Sequence, residues 1–201
     1  MRKLLIGISL LIAINSYGQG PITNIKKSIF DVKYSESYEQ PIALKYRSTN
    51  RPTNVNRAGL DFYTEPGVKT SDALDYRANR FDKGHLAPAA TFSDSYENLK
   101  ATFTYLNCAL QDQDLNRGEW RLLEEQERKW DDKEPLTVIV TLKFDTPVKR
   151  VSTNGAIPSY MFKHIYFEKS KKWQCYSFKN EKPLIGWEHH LIKCDGADHK
   201  F

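Results

Sequence analysis

The sequence predicts an α+β fold in which an antiparallel sheet is flanked by a few helices. Segments rich in β-branched and aromatic residues recur along the chain, and LTVIVTLKF at 136–144 has the composition of a buried strand. The clearest helix is NRGEWRLLEEQERKW at 116–130, which combines strong helix formers with Trp120, Leu123 and Glu127 at spacings of three and four. Because strands dominate and helices are few, the α+β class is expected.

The remaining elements follow from local composition. Alternation of apolar and polar residues predicts strands, clusters of Pro and Gly predict turns, and Gly84 and Pro88 interrupt any regular helix around them. In the first half of the chain we predict a strand in PIALKYRST (41–49) after a mixed segment, turns and short strands over 50–79, and an irregular segment over 81–92. A short helix is predicted in SYENLKATFTYL (95–106). Near the end we predict a turn at Asn154–Gly155 followed by a strand within 156–169, and a further strand in WQCYSFKN (173–180).

The first residues of the chain have the pattern of a cleaved secretory signal. Arg2 and Lys3 precede an apolar run of 11 residues, 4–14, and small or polar residues follow up to Gly20. A transmembrane helix needs roughly 20 apolar residues, so this run is too short, and no other stretch is long enough. We therefore expect a signal peptide over 1–19, one mature domain over 20–201, a secreted or periplasmic location, and no stable membrane association.

Charge and cysteine content restrict the classes of function. Removal of the predicted signal peptide lowers the formal net charge from +5 to +3, which permits a polyanionic partner without requiring one. The three cysteines form no CxxC pair and the chain has no HxxxH pair, so a structural zinc site is not expected. In an exported chain, Cys175 and Cys194 could close a disulfide loop, whereas Cys108 is expected to pack as a small apolar residue.

Four residues of the predicted helix repeat at a spacing of four, namely Asn116, Trp120, Glu124 and Arg128. That spacing places them along one face of a regular helix. An amide oxygen beside a carboxylate is chemistry that Mg²⁺ accepts, and since this ion keeps several waters, one direct protein ligand is enough. On spacing alone, a solvated charged face explains the same pattern.

A second segment, FDKGHLAPAA at 81–90, favours the metal-site interpretation. Together with NRGEWRLLE it resembles the DNA/RNA non-specific endonucleases of the ββα-metal (His-Me finger) superfamily, whose signature runs Asp-Arg-Gly-His and then apolar-Ala-Pro. The chain also carries Asn107 and Gln111 between the two segments, and the later segment IPSYMFKHIY (157–166) resembles the family's Pro-x-x-aromatic-Lys strand through Pro158, Phe162 and Lys163. The resemblance covers about residues 40 to 170 and implies a ββα-metal core within the α+β fold.

The resemblance implies a role for each matching residue. His85 would be the general base that activates a water molecule, and a histidine suits this because its neutral form is available near pH 7. Asn116 would be the direct ligand of hydrated Mg²⁺, or of another divalent cation such as Mn²⁺, and Glu124 would hold a water of that ion. The remaining implied residues are Lys83 and Arg128, which would hold phosphate charge, and Asn107 and Gln111, which would lie in the substrate cleft.

The chain departs from the family pattern at two positions. Lys83 stands where the family has arginine, which keeps the charge but loses the planar fork that binds a phosphate with two donors. Leu110 stands where a proline usually precedes the glutamine. Some members use a further arginine upstream of the signature, for which the sequence leaves five candidates: Arg47, Arg51, Arg57, Arg77 and Arg80.

Other polar clusters have simpler explanations. Asp112 and Asp114 lie just before the predicted helix, where capping or a loop role is expected. A second metal site is not expected among the other histidines, which have no acid or cysteine at ligand spacing and are assigned surface or packing roles: His164, His189, His190 and His199.

These observations predict an exported, Mg²⁺-dependent, sugar-non-specific endonuclease that hydrolyses phosphodiester bonds in DNA and RNA. One alternative is a catalytically weakened nucleic-acid-binding protein on the same fold, which Lys83 favours and the retention of His85, Asn116 and Glu124 disfavours. Another is a secreted structural or adhesion domain whose charged helix face is only solvated. The sequence leaves the oligomeric state open.

Overall fold

The computed structural model describes residues 20–195 and Phe201. The predicted signal peptide over 1–19 and His199 lie outside the described residues. The described chain forms one large antiparallel sheet and a smaller strand pair, with short helices packed against them. The predicted α+β class with an antiparallel sheet is therefore confirmed. No helix within the described part of the chain combines the length and apolarity that a membrane span requires.

The large sheet has seven strands in the order β1-β2-β3-β6-β7-β8-β9, each antiparallel to its neighbours. The predictions of β3, β6, β7 and β8 are confirmed, while β1 and β2 lie in the segment that the sequence left mixed. β1 is an edge strand with little burial, so pairing rather than an apolar pattern defines it. The strands are β1 Ile22–Lys26, β2 Phe30–Ser35, β3 Gln40–Ser48, β6 Leu136–Lys143, β7 Tyr160–Phe167, β8 Lys172–Lys179 and β9 Leu191–Ile192.

The core lies between the large sheet and the helix α3 (Arg121–Asp131). Strand β6 contributes Val138 and Val140, which are fully buried, and the helical region contributes Trp120 and Leu123. Complete burial of one such aliphatic side chain stabilises a fold by about 1.5–3 kcal/mol. This packing fixes α3 on the sheet, so that its opposite face is free to form the wall of a cavity.

A second strand pair forms the other half of that cavity region. Strand β4 (Phe81–His85) pairs antiparallel with β5 (Cys108–Asp112), and His85 at the end of β4 is opposite Cys108. The connection between them contains 3₁₀ turns at Ala89–Phe92 and Tyr105–Asn107 and the helix α1 (Tyr96–Ala101). Strand β5 leads into α2 (Gln113–Leu115) and then α3, which completes a β-β-α unit.

The helix predicted over 116–130 is interrupted in the structure. Between α2 and α3 the chain makes a wide π-type turn, Asn116–Trp120, in which Gly118 leaves helical geometry at φ −102° and ψ −113°. Trp120 has helical dihedral angles and leads directly into α3, so the break separates Asn116 rather than Trp120 from the regular helix. Trp120 is buried against Phe178 at a ring distance of 5.6 Å. The prediction that all four repeated residues share one face is therefore wrong at Trp120, because each step of four residues turns the side chain by about 40° and Trp120 lies in the core.

A disulfide joins Cys175 on β8 to Cys194 just after β9, as the sequence allowed. The linked residues are 19 positions apart, and in the chain-entropy model closing such a loop stabilises the fold by about 3 kcal/mol. Cys108 is free and buried, which confirms its predicted packing role. Asp112 caps α2 by accepting a hydrogen bond from the Asp114 N–H at 3.0 Å, as expected for this position.

Candidate active site

A cavity of about 730 Å³ lies where β4, the π-type turn and α3 meet a loop formed by residues 57–62. Five predicted site residues line it, so the fold brings together side chains from three separate segments of the chain. These five are Lys83 and His85 from β4, Asn116 from the π-type turn, and Glu124 and Arg128 from α3.

His85 lies between two aromatic rings at the inner end of the cavity. Its ring centroid is 4.6 Å from that of Phe62 and 5.0 Å from that of Phe103. Nε2 is buried and has no hydrogen-bond partner among the described residues, so Nδ1 is the nitrogen left to face the cavity. Burial, assisted by the positive charge of Arg57, lowers the pKa of His85 from 6.5 to about 3. The ring is therefore neutral near pH 7 and able to accept a proton.

Asn116 is oriented by an aspartate of the same strand as His85. Its Nδ2 donates to Asp82 Oδ2 at 2.9 Å, while Arg117 donates to both oxygens of Asp82, at 2.8 and 2.6 Å. Within residues 20–195, Asn116 Oδ1 accepts no hydrogen bond. Asp82 thus fixes the amide nitrogen on one side and leaves the amide oxygen available as a ligand.

Glu124 lies one helical turn before Arg128 and has a side chain that is 15% exposed. Its Oε1 is buried without a hydrogen-bond partner among the described residues, and Lys163 Nζ is 3.8 Å away. Burial raises the pKa of Glu124 from 4.5 to about 7. The negative charge of Glu127 raises this pKa further, and the opposing effect of the Lys163 ammonium is too weak to offset the loss of solvation. Because Glu124 lines the cavity, its carboxylate can accept a hydrogen bond from a water of a cation bound there.

A buried charged cluster lies behind Glu124, away from the cavity. Glu127 is fully buried and accepts a hydrogen bond from the Tyr46 hydroxyl at 2.6 Å. Lys163, also fully buried, lies 2.7 Å from the other oxygen of Glu127 as an ion pair and 4.2 Å from the centre of the Trp120 ring. The lysine that the family pattern identified on β7 therefore supports α3 from the sheet side.

Five cationic side chains line the cavity, and three of them are neutralised by carboxylates. Lys83 pairs with Asp61, Arg117 with Asp82, and Arg121 with Glu125. Within residues 20–195, Arg57 and Arg128 form no ion pair. These two guanidinium groups are therefore the cations most available to an anionic ligand.

Arg57 is also the one of the five upstream arginines that lines this cavity. Arg47, Arg51 and Arg80 pair instead with Glu168, Asp94 and Asp112. No local signal in the sequence separated Arg57 from the other four, since its position depends on how the 57–62 loop folds over β4.

Asn107 and Gln111 do not line the cavity, although their role as substrate contacts stays a prediction. Asn107 is fully buried, and its side chain accepts from the Ala87 N–H at 2.7 Å and donates to the Ala87 and Thr102 carbonyls, both at 2.9 Å. In this geometry Asn107 anchors the segment that follows His85 and so positions the histidine.

Gln111 is fully buried on β5, directly against β4. A Cβ atom added to Gly84 would lie 2.6 Å from the Cβ atom of Gln111, so only glycine allows this close approach. The glycine before His85 thus has a packing reason, and Gln111 forms the layer beneath the histidine rather than the surface of the cavity.

The donor set fits a hydrated hard cation better than a fully protein-bound one. The described residues contain no group of three or more His, Cys, Asp or Glu side chains that could hold a metal ion. They do contain the open Asn116 amide oxygen and the Glu124 side chain, and both residues line one cavity. Mg²⁺ retains several waters, so one amide ligand and a carboxylate that accepts from those waters suit it.

Comparisons with known proteins give a consistent result. Bovine mitochondrial endonuclease G is 37% identical over 76 residues, covering 36% of this chain and 25% of that protein. The mitochondrial nuclease 1 of Schizosaccharomyces pombe (strain 972 / ATCC 24843) is 28% identical over 160 residues, covering 71% and 49%. The nuclease of Serratia marcescens is 36% identical over 89 residues, covering 39% and 32%. The matches thus span a quarter to a half of the length of these relatives.

A solved structure supports the fold. One chain from the crystal structure of an EndoG/EndoGI complex superposes with a TM-score of 0.76 at 19% sequence identity, covering 88% of this chain and 82% of that one. This similarity confirms the predicted ββα-metal fold. The sequence profile described as DNA/RNA non-specific endonuclease matches residues 11–192. Because that match extends over most of the sequence, the chain belongs to the DNA/RNA non-specific endonuclease family.

Proposed function

We propose that the protein is an exported, Mg²⁺-dependent endonuclease that hydrolyses phosphodiester bonds in both DNA and RNA. The observation that carries the proposal is the convergence of His85, Asn116 and Glu124 on one cavity that also contains two unpaired arginines. The relatives named as nucleases support the same class of reaction.

In this mechanism His85 acts as the general base. A water molecule held against the scissile phosphate gives a proton to Nδ1 while its oxygen attacks phosphorus, and the bond to the leaving sugar oxygen breaks. The departing oxygen takes a proton from solvent water to become a hydroxyl, and His85 then releases its proton to solvent. The low pKa of the free histidine keeps it neutral before substrate binds. Arrival of a phosphate anion shifts that pKa upward, because negative charge nearby favours the protonated ring. By family resemblance the product carries a 5′ phosphate.

Asn116 and Glu124 would hold the divalent cation, with the amide oxygen as direct ligand and the carboxylate accepting from a water of the ion. When bound, Mg²⁺ stabilises the negative charge that develops on phosphate and leaving-group oxygens. Asp82 keeps the Asn116 amide in place through the 2.9 Å hydrogen bond. Such outer partners orient a ligand and are typically worth about 10–100-fold in activity.

Arg57 and Arg128 bind the non-bridging phosphate oxygens in this proposal, since neither is engaged by a carboxylate of the described chain. Planar guanidinium groups present paired donors that match phosphate geometry. Contacts to the backbone phosphate carry no sequence information, so cleavage with little base selectivity is expected. Binding then weakens steeply with salt.

The disulfide supports the export part of the proposal. Disulfides persist in oxidising compartments and are rare in a reducing cytosol, and Cys175 is joined to Cys194. The test is the mass of the N-terminal peptide recovered from the periplasm and from the medium. Cleavage near Gly18 to Gly20 is expected, and an intact Met1 in a cytosolic fraction would contradict export.

One observation favours the alternative of a catalytically weakened binding protein. The family arginine is replaced by Lys83, and Asp61 already neutralises that lysine at 2.8 Å. Loss of the bidentate fork reduces stabilisation of phosphate charge, although the base and the amide ligand are unaffected by it. This alternative predicts nucleic-acid binding without cleavage.

The decisive experiment incubates the mature chain with supercoiled plasmid and with single-stranded RNA, in Mg²⁺ and in excess EDTA. His85→Ala is the test variant, and His189→Ala is the matched control because His189 is exposed and does not line the cavity. Cleavage of both substrates should be lost with EDTA, restored by added Mg²⁺ or Mn²⁺, and reduced by about 10²–10⁴-fold in His85→Ala. Binding without cleavage by the folded wild type would favour the alternative.

A further inference from the structure

The 57–62 loop brings a carboxylate into the cavity wall. Asp61 Oδ1 accepts a hydrogen bond from Lys83 Nζ at 2.8 Å and from the Phe62 N–H at 2.7 Å. The Asp61 side chain is 79% exposed, whereas that of Lys83 is 24% exposed. The ammonium of Lys83, and secondarily the Phe62 N–H, lower the pKa of the Asp61 carboxyl, so it is anionic near neutral pH.

Aromatic packing holds this loop in position against β4. The ring of Phe62 lies 5.3 Å from that of Phe103 and 5.5 Å from that of Tyr105, in addition to its contact with His85. The Tyr63 N–H donates to the Phe103 carbonyl at 2.8 Å, and the Tyr105 N–H donates to the Tyr63 carbonyl at 3.0 Å. Because the backbone beside Asp61 is fixed in this way, the carboxylate leaves Lys83 by rotation of its side chain.

The surroundings of Lys83 limit how an anion reaches it. Its Nζ lies 5.6 Å from the ring centres of both Phe62 and Tyr105, so aromatic rings cover part of the ammonium. Asp61 takes one of the three N–H donors, and its side chain extends from the cavity wall into solvent. A phosphate that binds Lys83 from the cavity therefore shares the ammonium with the carboxylate of Asp61, which lines the same cavity.

We propose that Asp61 sets the affinity of the cavity for nucleic acid, because its carboxylate neutralises Lys83 and a substrate phosphate must compete with it for that ammonium. This inference rests on the proposed function of the cavity as a phosphodiester site. When a substrate phosphate replaces the Asp61 carboxylate at Lys83, one anion is exchanged for another and little binding free energy is gained. Arg57 and Arg128 therefore supply most of the attraction for the phosphate. Asp61 acts through Lys83 and is a positioning residue.

The test compares Asp61→Asn with Asp145→Asn, which removes the same charge from an exposed ion pair that does not line the cavity. Binding of a fluorescein-labelled duplex DNA is measured by anisotropy in EDTA, where no cleavage occurs, over a series of NaCl concentrations. We expect Asp61→Asn to bind about fivefold more tightly at low salt, while Asp145→Asn changes Kd by less than about twofold. The slope of log Kd against log salt should steepen by about 0.9, the amount that one additional phosphate contact contributes.

Lys83→Met and the double variant Lys83→Met/Asp61→Asn separate this role from a structural one. Since Asp61 acts through Lys83, its substitution should have little effect on Kd when the lysine is absent. With Mg²⁺ present, Asp61→Asn should lower KM and leave kcat nearly unchanged. Because Asp61 is largely exposed, Asp61→Asn is expected to retain the wild-type Tm.

Two results would overturn the inference: tighter binding by Asp61→Asn that persists in the Lys83→Met background, or binding no tighter than that of Asp145→Asn. Failure of the proposed function is a distinct result, since it consists of a folded wild type that cleaves neither DNA nor RNA with Mg²⁺. The anisotropy comparison still decides the role of Asp61 in that event.

Discussion

Glu124 and Glu127 lie three residues apart on α3, yet they have opposite surroundings. Glu124 lines the cavity and has an oxygen without a hydrogen-bond partner among the described residues. Glu127 faces the sheet, is fully buried, and has one oxygen bonded to Tyr46 and the other paired with Lys163. One helix therefore carries a loosely paired carboxylate at the cavity and a tightly paired one in the core, since Lys163 Nζ lies 3.8 Å from Glu124 and 2.7 Å from Glu127.

The difference shows how this fold separates stability from chemistry. The Tyr46–Glu127–Lys163 cluster holds α3 on the sheet, and the same helix then presents Glu124 and Arg128 to the cavity. A buried charge is tolerated only where it is paired, so Glu127 needs its partners in every state of the protein. Glu124 has only the more distant contact with Lys163, at 3.8 Å, which suits a group that meets a cation or its water.

The largest effect is expected from breaking the buried cluster. Lys163→Met leaves Glu127 without its countercharge, and removing one partner of a buried pair typically costs about 3–5 kcal/mol in the free energy of unfolding. Urea denaturation measures this loss. The double variant Lys163→Met/Glu127→Gln should recover most of it, because the introduced amide is neutral and its oxygen still accepts from Tyr46. Equal destabilisation of the single and double variants would show that the ion pair is not what the fold requires.

For Glu124→Gln we expect a loss of activity without a loss of stability. The substitution removes the charge that would hold a water of the cation, so kcat/KM should fall by about 10–100-fold. The free energy of unfolding in EDTA near pH 8 should rise or stay unchanged, since a neutral amide replaces a poorly solvated carboxylate. Kinetics with plasmid and urea denaturation measure the two quantities. A large loss of stability would place Glu124 with Glu127 as a structural residue.

A third prediction concerns the pH dependence of stability in the metal-free protein, to which Glu124 and His85 contribute with opposite signs. Glu124 has a folded pKa raised from 4.5 to about 7, so the folded state binds the extra proton and gains stability as pH falls from about 7 towards 4.5. His85 has a folded pKa lowered from 6.5 to about 3, so the folded state resists protonation and loses stability over the range from 6.5 down to 3. At pH 5 the two contributions are each about 2 kcal/mol and oppose one another.

In the wild type the contributions of Glu124 and His85 to stability oppose one another, so single variants are needed to measure each of them. Between pH 7 and pH 5 in EDTA, Glu124→Gln should lose stability relative to wild type, because the unfavourable effect of His85 is no longer offset. His85→Ala should gain stability relative to wild type over the same range. His189→Ala serves as the control and should follow the wild type. Parallel curves for all four proteins would contradict the opposed titration of the two groups.

The sequence was sufficient to predict the residues that lie in contiguous motifs. His85, Asn116 and Glu124 each belong to a short segment whose pattern is recognisable without the fold, and all three line the cavity. The strands β6, β7 and β8 were also predictable, because β-branched and aromatic residues make their pattern strong.

Features that depend on tertiary contacts were not predictable in this way. Asp61 reaches Lys83 through a loop with no pattern of its own, so nothing in the sequence pairs them. Asn107 and Gln111 stand at motif positions, but only the fold determines that their side chains turn inward to the backbone and to Gly84. The π-type turn at Gly118 and the burial of Trp120 against Phe178 likewise have no signal in the regular spacing of the four residues.

The smallest effect is expected at a third glutamate of α3, which tests whether proximity to the cavity alone confers a role. Glu125 lines the cavity but forms an i,i+4 ion pair with Arg121, and the two side chains are 39% and 52% exposed. Exposed helical pairs of this kind contribute about 0.3–0.5 kcal/mol and are screened by salt. Glu125→Gln should therefore lower stability by no more than that, and kcat/KM should change by less than about twofold. The contrast with Glu124→Gln follows from geometry, since the charge of Glu125 is already paired at the surface, whereas Glu124 is mostly buried and its paired cation, Lys163, lies 3.8 Å away. A loss of activity in Glu125→Gln comparable to that in Glu124→Gln would mean that the net charge of the cavity, rather than the placement of one carboxylate, determines the reaction.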